Sequence, residues 1–200
     1  MKHLLSIFSF MLAMSVNQAA FSTVLNASDS TGLRSFDSGA TVIELTFERA
    51  FGGTEDRTIT HFDISGLSGT VTNASLDLSV YSLDPGGVLE LYSFDGDGTV
   101  SVDEWDLGSL IHSFTSISQY TYQDLSLDIT SLLQDYIDAG SDYLSFNFRG
   151  PGSRIDLGDS GAGTAPTVIN YELASVPEPF TLGLLLTGIF ALFLVKRTNT

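Results

Sequence analysis

The sequence predicts an all-β fold, an antiparallel β-sandwich of the jelly-roll kind with one short helix. About nine short segments alternate apolar and polar residues, and glycine, proline, serine or aspartate separates them. A single segment has helical periodicity instead. Cysteine is absent, so apolar burial rather than disulfide bonding must stabilise the domain.

The predicted strands follow one another between residues 41 and 173. The clearest covers residues 74–83 (ASLDLSVYSL), where Leu76, Leu78 and Val80 alternate onto one face. The turn at residues 84–87 (DPGG) separates it from the next strand. The other predicted strands are residues 41–47, 58–64, 88–94, 109–114, 124–129, 143–149, 154–157 and 167–173.

The predicted helix covers residues 131–139. Its apolar side chains fall on one face, Thr130 is the expected N-cap, and Gly140 ends the helix. We expect this helix to close one end of the sandwich.

The N-terminal residues 1–20 have the layout of a secretory signal peptide. Lys2 precedes a mostly apolar stretch, and Ala19 and Ala20 supply the small residues of a cleavage site. The predicted domain is then residues 21–175, about 155 residues, which is the size of one ordinary domain.

The C-terminal residues 176–200 combine three features. Pro177-Glu178-Pro179 precedes an uncharged run at 180–195, and Lys196 and Arg197 follow it. The run reaches about 24 Å as a helix, somewhat less than a ~30 Å hydrocarbon core, and the basic end favours a cytoplasmic C-terminus. A plain C-terminal membrane anchor would leave the Pro-Glu-Pro unexplained.

This order of features resembles the PEP-CTERM sorting signal of Gram-negative bacteria. The resemblance implies that the C-terminal helix holds the chain in the inner membrane until an exosortase processes it. It also implies export to the cell surface or to an extracellular, biofilm-type matrix.

Charge excludes one class of partner. The formal net charge is −16, every acid lies between Asp29 and Glu178, and Lys2, Lys196 and Arg197 all lie in the targeting segments. Such an acidic domain repels nucleic acid and anionic lipid, and it favours divalent cations.

The central segments resemble the DNRLRE-type β-sandwich, a family related to the carbohydrate-binding modules of bacterial surface proteins. The resemblance implies a sandwich fold and polysaccharide as a ligand class. The motif that names the family is absent, and Tyr136 stands where tryptophan is expected. The matching residues are Arg57, Phe62-Asp63-Ile64, Ala74, Leu76, Leu78, Leu127-Asp128-Ile129-Thr130, Pro166-Thr167-Val168-Ile169 and Tyr171.

Residues 93–104 (SFDGDGTVSVDE) follow the spacing of an EF-hand calcium loop from its third place onward, including Gly98 at the sixth. The first place holds serine instead of aspartate, and a strand rather than a helix precedes the loop. A solvated Asp/Gly turn is the alternative. The predicted calcium ligands are Ser93, Asp95, Asp97, the Thr99 carbonyl, Ser101 and Glu104.

Trp105 follows this loop and, with the tyrosines, is a candidate for stacking on sugar rings, although aromatics on short strands more often pack in a core. The favoured function is an exported, non-enzymatic matrix or surface protein that holds polysaccharide. The alternative is a secreted hydrolase acting on polysaccharide, for which no catalytic motif is recognisable.

Overall fold

Twelve β-strands and two helical segments account for most of the residues that the computed structural model describes, which are 22–35, 42–45, 49–51, 56–158 and 165–174. The predicted signal peptide and sorting segment lie outside these residues. The strands are β1 Thr23–Asn26, β2 Asp29–Ser35, β3 Val42–Leu45, β4 Arg49–Phe51, β5 Asp56–Asp63, β6 Val71–Ser82, β7 Gly87–Phe94, β8 Ser109–Ile117, β9 Tyr122–Asp128, β10 Tyr143–Arg149, β11 Arg154–Leu157 and β12 Val168–Leu173. Helix α1 is Thr130–Ala139, and a 3-10 turn covers Val102–Glu104.

The strands form the two layers of an antiparallel sandwich, which confirms the predicted fold class. One layer contains β1, β12, β6 and β11 with β9 on the other side of β6, and the second contains β3, β2, β5, β10, β7 and β8. The short strand β4 pairs with β11 and with β5, so it joins the layers at one edge. Ser22–Glu172 forms one compact unit. Within the described ranges, no helix is both long and apolar enough to cross a membrane.

The core lies between the layers and has the side-chain register that the alternation predicts. Leu76, Leu78 and Val80 of β6 are buried. Phe62 of β5 and Phe146 of β10 belong to the other layer, are also buried, and meet edge-to-face with their ring centroids 5.9 Å apart. Helix α1 packs against β6 and β10 and buries Leu133.

Helix α1 ends as predicted but begins differently. Gly140 has φ 74°, a left-handed conformation that glycine adopts without a Cβ clash, and it ends the helix. Thr130 is the first helical residue rather than the cap. Its Oγ1 accepts a hydrogen bond from the Ala74 amide at 2.9 Å, while its own amide donates to Asp128 Oδ1 at 2.9 Å. The threonine side chain therefore fastens the helix to β6.

Strand β10 is buried on both faces, and this determines where the candidate site lies. Leu144, Phe146 and Phe148 point into the sandwich, and the alternate residues Ser145 and Asn147 are equally buried. The register places His61 opposite Ser145 and Ile59 opposite Asn147, so these four side chains share the outer face of the layer. Residues 95–108, here called the covering loop, shield that face from solvent.

Candidate functional site

The covering loop packs a second, smaller hydrophobic cluster against the outer face of the β5–β10–β7 layer. This cluster consists of Leu33, Ile59, Phe94, Val100 and Trp105. Trp105 is only 4 % exposed. Because the ring is enclosed, Trp105 packs against the sheet, and the sugar contact predicted for it does not fit its burial.

Polar contacts fix the loop in place from three strands. The Arg57 guanidinium lies 4.0 Å from the centroid of the Trp105 ring and donates to the Trp105 carbonyl and to Asp106 Oδ1. Asn147 Nδ2 donates to the same carbonyl at 3.0 Å. The Val100 amide donates to Asp29 Oδ2 of β2 at 2.9 Å. The loop is thus tied to β2, β5 and β10.

The structure brings some of the predicted calcium ligands together and separates others. Ser93 ends up on the inner side, because it is buried in β7 directly opposite the core residue Phe146. Asp95 and Thr99 are exposed. Asp97 is exposed, and its carboxylate accepts a hydrogen bond from the Thr99 amide at 3.0 Å. Glu104 is buried, and its carboxylate accepts a hydrogen bond from the Ser101 amide at 3.2 Å. Of the six predicted ligands, Asp97 and Glu104 bring their carboxylates close together, whereas Ser101 meets Glu104 through its backbone amide.

A buried histidine joins these two carboxylates. His61 of β5 is fully buried, its Nδ1 lies 2.6 Å from Ser145 Oγ, and its Nε2 lies 3.2 Å from Glu104 Oε2. One ligand atom from each of His61, Asp97 and Glu104 lies within 4.8 Å of the others. Burial raises the pKa of the Glu104 carboxyl, and the Ser101 amide and the nearby His61 oppose that rise.

Sequence reasoning does not find His61, since it stands in an ordinary strand 43 positions before Glu104. The histidine comes to lie beneath the loop only through the pairing of β5 with β10 in the folded protein. Ser145, His61 and Glu104 have the residue types of a hydrolytic triad, but Ser145 and His61 have no exposed surface. A substrate carbonyl therefore cannot reach the hydroxyl, which a nucleophilic serine requires.

Exposed tyrosines mark a different surface, the outer face of the β6–β9 layer. Tyr81 and Tyr122 are cross-strand partners with ring centroids 4.8 Å apart, and Tyr122 is 51 % exposed. Tyr120, just before β9, is 65 % exposed. The same register places Asp77 opposite Ser126 and Ser79 opposite Asp124 on this face. We call this surface the tyrosine face.

Comparison with known proteins found no matching family model and no matching curated protein. Two solved structures are similar over 76 % of this chain, each with a TM-score of 0.31. One is the C-terminal CBM6 of LamC, a marine laminarinase from Zobellia galactanivorans, at 9 % identity and 99 % coverage of that chain. The other is the carbohydrate-binding module CBM6cm-2 from Cellvibrio mixtus lichenase 5A in complex with cellotriose, at 11 % identity and 98 % coverage.

Proposed function

We propose that this protein is an exported, non-enzymatic matrix or surface protein that holds polysaccharide on the tyrosine face. The observation that carries the proposal is the cross-strand pair of Tyr81 and Tyr122, packed at 4.8 Å with Tyr122 half-exposed. The two rings are tilted by 37° to each other, and the exposed Tyr122 ring offers the apolar face of a sugar a stacking surface. Carboxylate and hydroxyl groups beside the rings are acceptors for sugar hydroxyls.

Export is part of the proposal and depends on the terminal segments, which lie outside the described residues. The signal peptide would take the chain through the inner membrane of a Gram-negative bacterium. The C-terminal helix would hold it there until an exosortase recognises Pro177-Glu178-Pro179. Absence of cysteine means that the exported domain needs no oxidative step to fold.

Burial at the Ser145–His61–Glu104 chain weighs against the alternative of a secreted hydrolase. The Ser145 hydroxyl and the His61 imidazole are enclosed beneath the covering loop. These hydrogen-bonded side chains therefore hold the loop in place and are not accessible to a substrate. Calcium binding by the loop at residues 93–104 stays a prediction, and its test is combined with that of the metal site below.

A glycan-array screen run beside a reducing-sugar release assay tests the proposal. We expect the protein to bind one or more polysaccharides without releasing reducing ends. The Tyr122→Ala variant should weaken that binding by about ten-fold, because a central aromatic contact contributes more than about 1 kcal/mol.

Leu110→Ala is the matched control, since Leu110 is 53 % exposed but lies on β8 in the other layer. Unchanged binding by Tyr122→Ala would place the glycan elsewhere. Release of reducing sugar by the wild-type protein would favour the hydrolase.

A further inference from the structure

The tyrosine face does not involve the three polar side chains that converge beneath the covering loop. We propose that His61 Nε2, Asp97 and Glu104 form a binding site for a divalent first-row transition-metal ion of the zinc type. The site is independent of the polysaccharide proposal, because His61 belongs to β5 of the other layer, and Asp97 and Glu104 belong to the covering loop on that layer.

The donor set decides the class of ion. One imidazole nitrogen with two carboxylates suits zinc and its neighbours, whereas calcium is bound through oxygen atoms alone. With metal–ligand bonds of about 2.0–2.2 Å, two ligand atoms of a tetrahedral zinc site lie roughly 3.4 Å apart. The 3.2 Å between His61 Nε2 and Glu104 Oε2 is close to that separation.

His61 has the second hydrogen-bond partner that metal-binding histidines usually have. Ser145 Oγ lies 2.6 Å from Nδ1, so Nδ1 can keep its proton and donate to the serine while Nε2 faces the carboxylates. The rings of Phe94 and Tyr143 meet the imidazole edge-on, with centroids 5.9 and 6.5 Å away. The imidazole orientation is therefore fixed before any ion arrives.

The loop backbone is fitted closely over this imidazole. A Cβ atom at Gly96 would lie 2.6 Å from His61 Nδ1 and closer still to Ser145 Oγ. Only glycine therefore lets the loop backbone approach the imidazole this closely. That close passage brings the next residue, Asp97, to the imidazole. Asp97 is the exposed member of the three, so an ion enters from its side and water completes the coordination shell.

Bound metal would fasten the covering loop to β5. Two ligands belong to the loop and the third belongs to the sheet, so the ion would link Asp97 and Glu104 directly to the layer on which the second cluster packs. An ion that binds only the folded arrangement stabilises it by mass action.

The experiment uses the full-length protein, purified in mild detergent, stripped with chelator and titrated with zinc chloride by calorimetry. We expect one zinc per chain and a higher melting temperature. Asp97→Asn should weaken zinc binding at least about ten-fold, since even an outer-shell partner is worth that much. Asp97 is exposed, so its substitution should leave the β-sheet dichroism intact.

Asp95→Asn is the matched control, because Asp95 is exposed, lies two positions away and is not one of the converging residues. It should bind zinc like the wild type. In the imidazole ¹⁵N spectrum, zinc should shift His61 Nε2 and leave Nδ1 protonated, with His112 of β8 as the internal reference.

A parallel titration with calcium chloride separates this site from the EF-hand-like prediction. Calcium binding that is lost in both Asp95→Asn and Asp97→Asn, without zinc binding, would overturn the proposal in favour of that prediction. Absence of zinc binding, or zinc binding unchanged by Asp97→Asn, would also overturn it. None of these results depends on glycan binding, so the zinc proposal and the polysaccharide proposal are tested independently.

Discussion

Replacing Trp105 with alanine distinguishes a packing role for this ring from a role in sugar stacking. The ring is 4 % exposed, is enclosed by Leu33, Ile59, Phe94 and Val100, and is covered by Arg57. Truncating a buried aromatic of this size costs about 3–5 kcal/mol, which includes the cavity left behind. For a domain of this length, 1 kcal/mol corresponds to about 2–4 °C, so we expect the melting temperature to fall by about 6–20 °C.

Thermal unfolding followed by far-ultraviolet dichroism measures this loss. Tyr122→Ala is the comparison variant, because its ring is 51 % exposed and its removal should cost only about 1 kcal/mol, the upper end for a cross-strand aromatic pair such as that with Tyr81. Glycan binding measured on the same samples should show the reverse, with Tyr122→Ala impaired and Trp105→Ala retaining affinity below its own melting temperature.

The protein contains a single tryptophan, so its fluorescence reports this site without interference. The native emission should be that of a buried indole and should shift only on unfolding. A Trp105→Ala variant that melts like the wild type but no longer binds polysaccharide would refute the packing argument and restore the stacking role.

Three other predictions concern the core, the helix end and export. Leu78→Asp buries a carboxylate in the sandwich and should destabilise it by several kcal/mol. Leu110→Asp, the same change at a position of β8 that is 53 % exposed, serves as the control, and an unchanged melting temperature for Leu78→Asp would contradict the register. Gly140→Ala forces a side chain into a left-handed conformation and should cost about 1–2 kcal/mol in a urea titration, and no loss would mean that the helix ends otherwise. Alanine at Pro177, Glu178 and Pro179 should leave the chain in the inner membrane, and mass spectrometry of secreted wild-type protein should detect no peptide beyond about residue 179; Lys196 and Arg197 on extracellular material would count against exosortase processing.

Much of the fold follows from sequence because alternation and turn chemistry act locally. The β6 pattern places Leu76, Leu78 and Val80 on the core side, as the structure confirms. The sequence does not predict strand β2, because its residues, DSTGLRS, are mostly polar and turn-forming. It pairs with β5 and buries Leu33 under the covering loop, and that partner is distant in sequence.

The candidate site was predictable only in part, for a related reason. The spacing of the acidic loop points to Asp97 and Glu104, because both belong to one continuous segment. His61 and Ser145 enter the site through strand register, which fixes side-chain contacts across 84 positions. The burial of Trp105 depends equally on the outer face of β10 being covered, and local periodicity cannot distinguish a covered face from a solvated one.

The ties of the covering loop have a consequence for the order in which the protein unfolds. Its contacts join residues far apart in the chain, 71 positions for Val100 with Asp29 and 48 for Arg57 with Trp105. The loop docks on the outer face of β5 and β10, and that face exists only after these strands have paired, so we expect the loop to dock after them. In the native state the same loop should detach by itself, at a lower free energy than global unfolding. Amides of the loop would then exchange with solvent before those of β6, and an added protease would cut the loop while the sandwich stays intact.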